Sequence, residues 1–192
     1  MNGFARFGAC VAIAAAACAG GSTALAGTGG VGIGDPVEPP TTGGAGGTAP
    51  PAGFGAGQYR FPLTVPHSYG DGFGAGRGHE GQDVFAPCGA PILAARGGRI
   101  QRVGLHARAG HYVVVDGAGT EVDTMYAHLG RRPPLTRGDP VATGAPIGQV
   151  GSSGNASGCH LHFEIWSAPG WYQGGVPMPS VGRLLRTWDA WS

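Results

Sequence analysis

The sequence predicts an all-β domain, mainly antiparallel sheet, with long loops and little helix. Three observations carry this. The apolar runs are short and rich in β-branched residues, as in Tyr112-Val113-Val114-Val115, a composition that suits a pleated, half-buried surface. Gly or Pro breaks each run at close spacing, which favours antiparallel strands over helices with long crossovers. Late in the chain, 181–188 is the one stretch with the pattern of a helical turn or two.

Taken in order, the expected strands are 83–85, 91–94, 98–105, 111–116, 121–128, 140–141, 146–150 and 161–166. The first follows a Gly-rich loop and opens on Asp83. Gly-Ala-Gly at 117–119 reads as a tight hairpin turn between the fourth and fifth. There is no internal repeat of useful length.

The 192 residues suffice for one domain with a modest core. Residues 1–26 read as a secretory signal peptide: Arg6, a run of small and apolar residues (FGACVAIAAAACA), then Ala24-Leu25-Ala26 as a cleavage site. The run is too short for the ~20 residues that span a bilayer, so no membrane association is expected after cleavage. Residues 27–57 hold 12 Gly and 5 Pro without an apolar period, and read as a disordered linker. Residues 58–192 are the expected globular domain. The 40 Gly and 16 Pro fit a compact, loop-rich core. There is no Lys, and loss of Arg6 leaves 11 Arg against 11 acids. Such a balance supplies no basic field for nucleic acid.

Cleavage would also remove Cys10 and Cys18. Cys88 and Cys159 then remain as an even pair in an oxidising compartment. They read as a disulfide joining the loop after Asp83 to the segment before His160, against the alternative of two buried thiols.

All seven His, at 67, 79, 106, 111, 128, 160 and 162, lie in the expected domain. In a strand, residues i and i+2 share a face, so His160-Leu161-His162 points two imidazoles the same way. The same rule puts Tyr126 and His128 on one face. His79 and Asp83, in GRGHEGQD, are four apart, but the surrounding Gly residues argue for a loop entering a strand rather than a helix. Each pair alone is a weak signal. Together, two His and one Asp make a three-ligand set with a fourth position open, the composition of a catalytic rather than a structural zinc site. His128 and His160 are then left for proton transfer near pH 7. His67, His106 and His111 lack such partners and read as surface or loop residues.

The order HEGQD, MYAHL, GCHLHFEI, with intervening APCGAPILAARGGRI and RGDPVATGAPIGQVGSSGNASG, resembles the lysostaphin/LytM zinc metallopeptidase family over roughly residues 59–168. The resemblance implies one Zn2+ per chain on His79, Asp83 and His162. It implies His160 as general base on the attacking water, and His128 as the group that orients the water and stabilises the oxyanion. Asn155 and Ser157, with Gly154, would rim the substrate groove. Tyr69 is the expected groove tyrosine, chosen over Phe73 for its hydroxyl. Gln82 stands where the family has an aliphatic residue, at a position expected near the surface. Glu164 fits the pattern as an outward residue or one behind the ligands. The implied activity is a secreted or cell-envelope bacterial endopeptidase, monomeric, cutting peptidoglycan stem peptides or cross-bridges. The alternative is an inactive domain of this family that binds and activates a cell-wall amidase.

Overall fold

A computed structural model describes residues 58–76 and 78–192. The segments read as signal peptide (1–26) and linker (27–57) lie outside the described residues. The domain is antiparallel sheet with one short helix. Seven strands, β1 (Ser68–Tyr69), β2 (Gln82–Phe85), β4 (Gly98–His106), β5 (Gly110–Gly117), β6 (Asp123–Leu129), β7 (Pro140–Val141) and β9 (His160–Trp166), form one sheet in the order β1-β2-β9-β6-β5-β4-β7. A second sheet pairs β3 (Pro91–Leu93) with β8 (Pro146–Gln149).

The sheet separates two environments because its side chains alternate. Leu161, Phe163 and Ile165 of β9 face the main core, with Tyr126 of β6, Val113 and Val115 of β5 and Val84 of β2. Ile92, Ile147 and the helix α1 (Val181–Asp189) cover this face. The helix buries Val181, Leu184, Leu185 and Trp188, a spacing that places all four on one stripe. Burying each large apolar side chain contributes roughly 1.5–3 kcal/mol. The opposite face carries His160, His162, Glu164 and Trp166 of β9, with a smaller cluster of Tyr112, Val114, Met125 and Ala127 beside them.

Two expectations need correction. His128 does not share a face with Tyr126. The β5–β6 register shifts between His111 and Val113, where Leu129 pairs with His111 and Tyr126 with Val113. Three steps on β6 therefore match two on β5, a β-bulge, and His128 sits in it at φ 61°. A bulge re-aims a side chain, and here it turns the imidazole away from the core and toward His160. Gln82 is not near the surface either. It is 3% exposed, and its amide nitrogen is directed at the carbonyls of Gly70, Asp71 and Asp83 at 3.0–3.1 Å. An aliphatic residue there could not tie the loop to the strand in this way.

The expected strand ends move by a residue or two. The strand placed at 121–128 begins at Asp123, because Glu121 takes a left-handed turn conformation at φ 54°. The two-residue β1 is too short to show a period in the sequence.

Candidate metal centre

Antiparallel pairing of β2 with β9 sets Asp83 directly opposite His162. His79 comes from the loop joining β1 to β2, which folds back through bonds from Gly74 N–H to His79 O (2.8 Å) and His79 N–H to Ala75 O (3.1 Å). The three side chains meet: His79 Nε2 lies 3.0 Å from Asp83 Oδ1 and 3.0 Å from His162 Nδ1, and His162 Nδ1 lies 2.9 Å from Asp83 Oδ1.

The remaining ring nitrogens decide what this cluster is. His79 Nδ1 lies 2.9 Å from the carbonyl of Gly72. A carbonyl only accepts, so this nitrogen carries the proton. His162 Nε2 lies 2.9 Å from Glu164 Oε1 and donates to it. Each ring therefore directs its other nitrogen at the same point, beside a carboxylate, where a neutral ring presents a lone pair. Three lone pairs about 3 Å apart repel unless a proton or a cation sits among them. The titration shifts express the same demand. Although burial opposes ionisation of Asp83, hydrogen bonds from His162 and His79 hold its carboxyl well below the usual range. The bond to Asp83 raises His79. Burial pulls His162 down, but Asp83 and Glu164 outweigh it and lift it to about 9. A divalent ion would answer this demand, and the donor set of two imidazoles and a carboxylate suits zinc.

Two further imidazoles face the cluster. His128 Nδ1 donates to Ser153 O at 2.8 Å, and His160 Nδ1 donates to Gly158 O at 2.9 Å. In both rings the other nitrogen is Nε2, and His160 Nε2 is 3.7 Å from Asp83 Oδ1. The His128 ring centroid is 4.6 Å from that of His160 and 5.7 Å from that of His162. Burial lowers His128 to about 4, partly offset by its Ser153 bond and reinforced by the neighbouring imidazoles. It is therefore neutral at pH 7, an acceptor.

The structure thus gathers His79, Asp83, His128, His160 and His162. It does not bring Tyr69 to them. Tyr69 donates to Asp189 Oδ2 (3.3 Å) and lies under the Arg186 guanidinium at 3.8 Å, on the helix side of β1. Its pairing with Val84, a core residue, puts it on the face opposite Asp83 and His162. Asn155 and Ser157 are exposed on the loop 152–158, and the Asn155 backbone N–H donates to Arg108 O at 2.8 Å. That loop contributes through residues not singled out beforehand. The carbonyls of Ser153 and Gly158 set both tautomers, and the Ser153 hydroxyl ties Leu129 O (2.6 Å) and His111 N–H (2.9 Å) to it. Backbone acceptors have no sequence signature, so only the Gly- and Ser-rich composition of 151–158 hinted at a shaped loop. Cys88 and Cys159 form a disulfide with Cα atoms 5.3 Å apart, beside His160.

The comparisons with known proteins agree with this geometry. Residues 77–175 match peptidase family M23. The chain is 38% identical over 89 residues to the peptidoglycan DD-endopeptidase ShyC of Vibrio cholerae, a match covering 46% of this chain and 20% of that protein. It thus spans about a fifth of that relative's length. Among solved structures, the catalytic domain of the antimicrobial peptidase lysostaphin from Staphylococcus simulans superposes with a TM-score of 0.53 at 26% identity, covering 62% of this chain and 92% of that one. The fold is also that of a putative glycyl-glycine endopeptidase LytM from Ruminococcus gnavus (TM-score 0.58, 24% identity, 69% and 61% covered). With more than half of the sequence under the family match and the strand order carrying its motifs into one cluster, the chain belongs to peptidase family M23.

Proposed function

We propose that the domain is a zinc-dependent endopeptidase that hydrolyses peptide bonds in peptidoglycan, acting outside the cytoplasm. The observation that carries the reading is the convergence of His79 Nε2, Asp83 Oδ1 and His162 Nδ1 within 3.0 Å of one another, with the rings of His160 and His128 beside them. Three of the five groups suit a cation and two remain to move protons. The relatives named as peptidoglycan DD-endopeptidases support the substrate class, and a disulfide suits an oxidising compartment.

His79 Nε2, Asp83 Oδ1 and His162 Nδ1 would hold the ion. Zn2+, when bound, supplies a Lewis acid that acidifies water and polarises the scissile carbonyl. The protein's own part is proton transfer. His160 Nε2 accepts the proton of the attacking water, while the Gly158 carbonyl keeps the ring oriented and takes up part of the new charge. The protonated imidazole then delivers that proton to the leaving amine. His128, neutral and held by Ser153, accepts a hydrogen bond from the same water and orients it. It can donate to the oxyanion only after gaining a proton, so its resting role is that of an acceptor.

The purified protein should hold one zinc and release soluble peptides from purified peptidoglycan, with mass spectrometry identifying the bond cut. His160→Ala should keep the zinc and reduce release by about 10²–10⁴-fold, the usual weight of one proton-transfer group. Zinc binding without any cleavage by the wild type would instead support the inactive, amidase-activating reading.

A further inference from the structure

Behind the ligand His162 lies a buried carboxylate that receives two hydrogen bonds, one on each oxygen. Glu164 Oε1 accepts from His162 Nε2 at 2.9 Å and Oε2 accepts from the Trp166 indole Nε1 at 2.6 Å. The three residues alternate along β9 and so share the face opposite the main core. Glu164 is 6% exposed and Trp166 2%. Burying a carboxylate is costly unless its acceptor sites are filled, and here two ring N–H groups fill them.

The cover over this pair is itself held in place. The indole of Trp166 lies under the ring of Tyr172, centroids 6.3 Å apart and planes 19° off parallel. Tyr172 stands at φ 53°, a conformation that costs a non-Gly residue about 1–3 kcal/mol and persists only where the surroundings impose it. The neighbouring Trp171 ring meets Tyr172 edge-on, centroids 4.2 Å apart, and the Trp171 backbone N–H donates to the buried Asp123 carboxylate at 2.7 Å.

We infer that Glu164 and Trp166 are positioning residues of the metal centre, a carboxylate and an indole that keep the Nδ1 lone pair of His162 aimed at the ion. The inference rests on the reading of His162 as a ligand. Donation to Glu164 fixes the proton on Nε2, so Nδ1 is free for a metal without a tautomer change. The indole then stops the carboxylate from rotating away from His162. Two carboxylates, Asp83 and Glu164, stand at the two ends of this imidazole and match the charge of one divalent ion. Partners of this kind typically carry about 10–100-fold of metal affinity.

The experiment is a mutant cycle read by zinc affinity, measured by competition with a chromogenic chelator. Glu164→Gln leaves one carbonyl oxygen to serve two N–H donors, so affinity should fall by about 10–100-fold. Trp166→Phe frees the carboxylate and should lower it less. Adding Trp166→Phe to Glu164→Gln removes the competing donor, so the double variant should bind zinc at least as tightly as Glu164→Gln alone. Losses that multiply in the double variant overturn the inference, because unlinked packing defects would do that. Affinities within twofold of wild type in Glu164→Gln also overturn it, whether or not Trp166→Phe folds. If His162→Ala leaves zinc affinity unchanged, the ligand assignment fails instead, and the two failures are thereby distinguished.

Discussion

Gly81 sits against the ring of His162. A Cβ built there would stand 2.6 Å from the Phe163 carbonyl oxygen and 2.7 Å from His162 Nε2, closer than side chains tolerate. One of those atoms is backbone in the central part of the sheet, so relief must come from the imidazole or from the loop bearing His79. Gly81→Ala should therefore destabilise the fold by about 1–3 kcal/mol, as overpacking does, and should lower zinc affinity more than a comparable substitution at the unobstructed Gly76. Equal zinc affinities in the two variants would refute this. The sequence displayed Gly81 only as a helix breaker between His79 and Asp83. Its role as clearance depends on β9, which lies some eighty residues further along the chain.

At the scale of the elements, the strands carrying Asp83 and His162 were readable and the way His128 joins them was not. HLHFEI alternates polar and apolar side chains as a two-faced strand should, and β9 has that form, although both of its faces are buried. MYAHL looks like a similar strand. Strict alternation would send His128 into the core with Tyr126, and the bulge that prevents this arises from mismatched pairing with β5. A register shift belongs to two strands together and is invisible in either alone. Tyr69 shows the same limit: its hydroxyl suited a groove, but a two-residue strand offers no period from which to tell its face.

The segment between β9 and α1 has its own electrostatic anchor. Burial raises the Asp123 carboxyl to about 6; the Trp171 amide opposes the shift and Asp116 adds to it. Because the folded value exceeds the unfolded one, stability from the protonated form is full below about pH 4 and is lost as pH rises through about 6. Asp123→Asn keeps an acceptor for the Trp171 N–H without a titrating group. Relative to wild type, its melting temperature should be higher at pH 7 than at pH 4.5; an offset independent of pH would count against this account.

On the scale of the whole molecule, one sheet performs two tasks on its two faces. The core face, sealed by α1, β3 and β8, was legible as apolar periodicity, because burial leaves its mark on composition. So were the five polar residues gathered beside the opposite face, because His and Asp at such spacings stand out between apolar runs. The loops that orient them were not, since they act through carbonyls of Gly72, Ser153 and Gly158 that any residue could supply. Among the described residues no helix is long and apolar enough to cross a membrane.

The cross-link between Cys88 and Cys159 joins positions 71 residues apart. His79 and Asp83 precede the span, His160 and His162 follow it, and His128 lies within it. A protease that cuts the exposed turn at 118–119 would sever the backbone between these groups without separating them. Such a nicked protein should run as one band without reductant and as two with it. It should also keep its zinc until the thiols are released, so that damage to the backbone alone does not disarm it; zinc loss on cutting, before any reduction, would show otherwise. The covalent bond thus gives the molecule a tolerance to being cut, suited to surroundings where other proteases are at work.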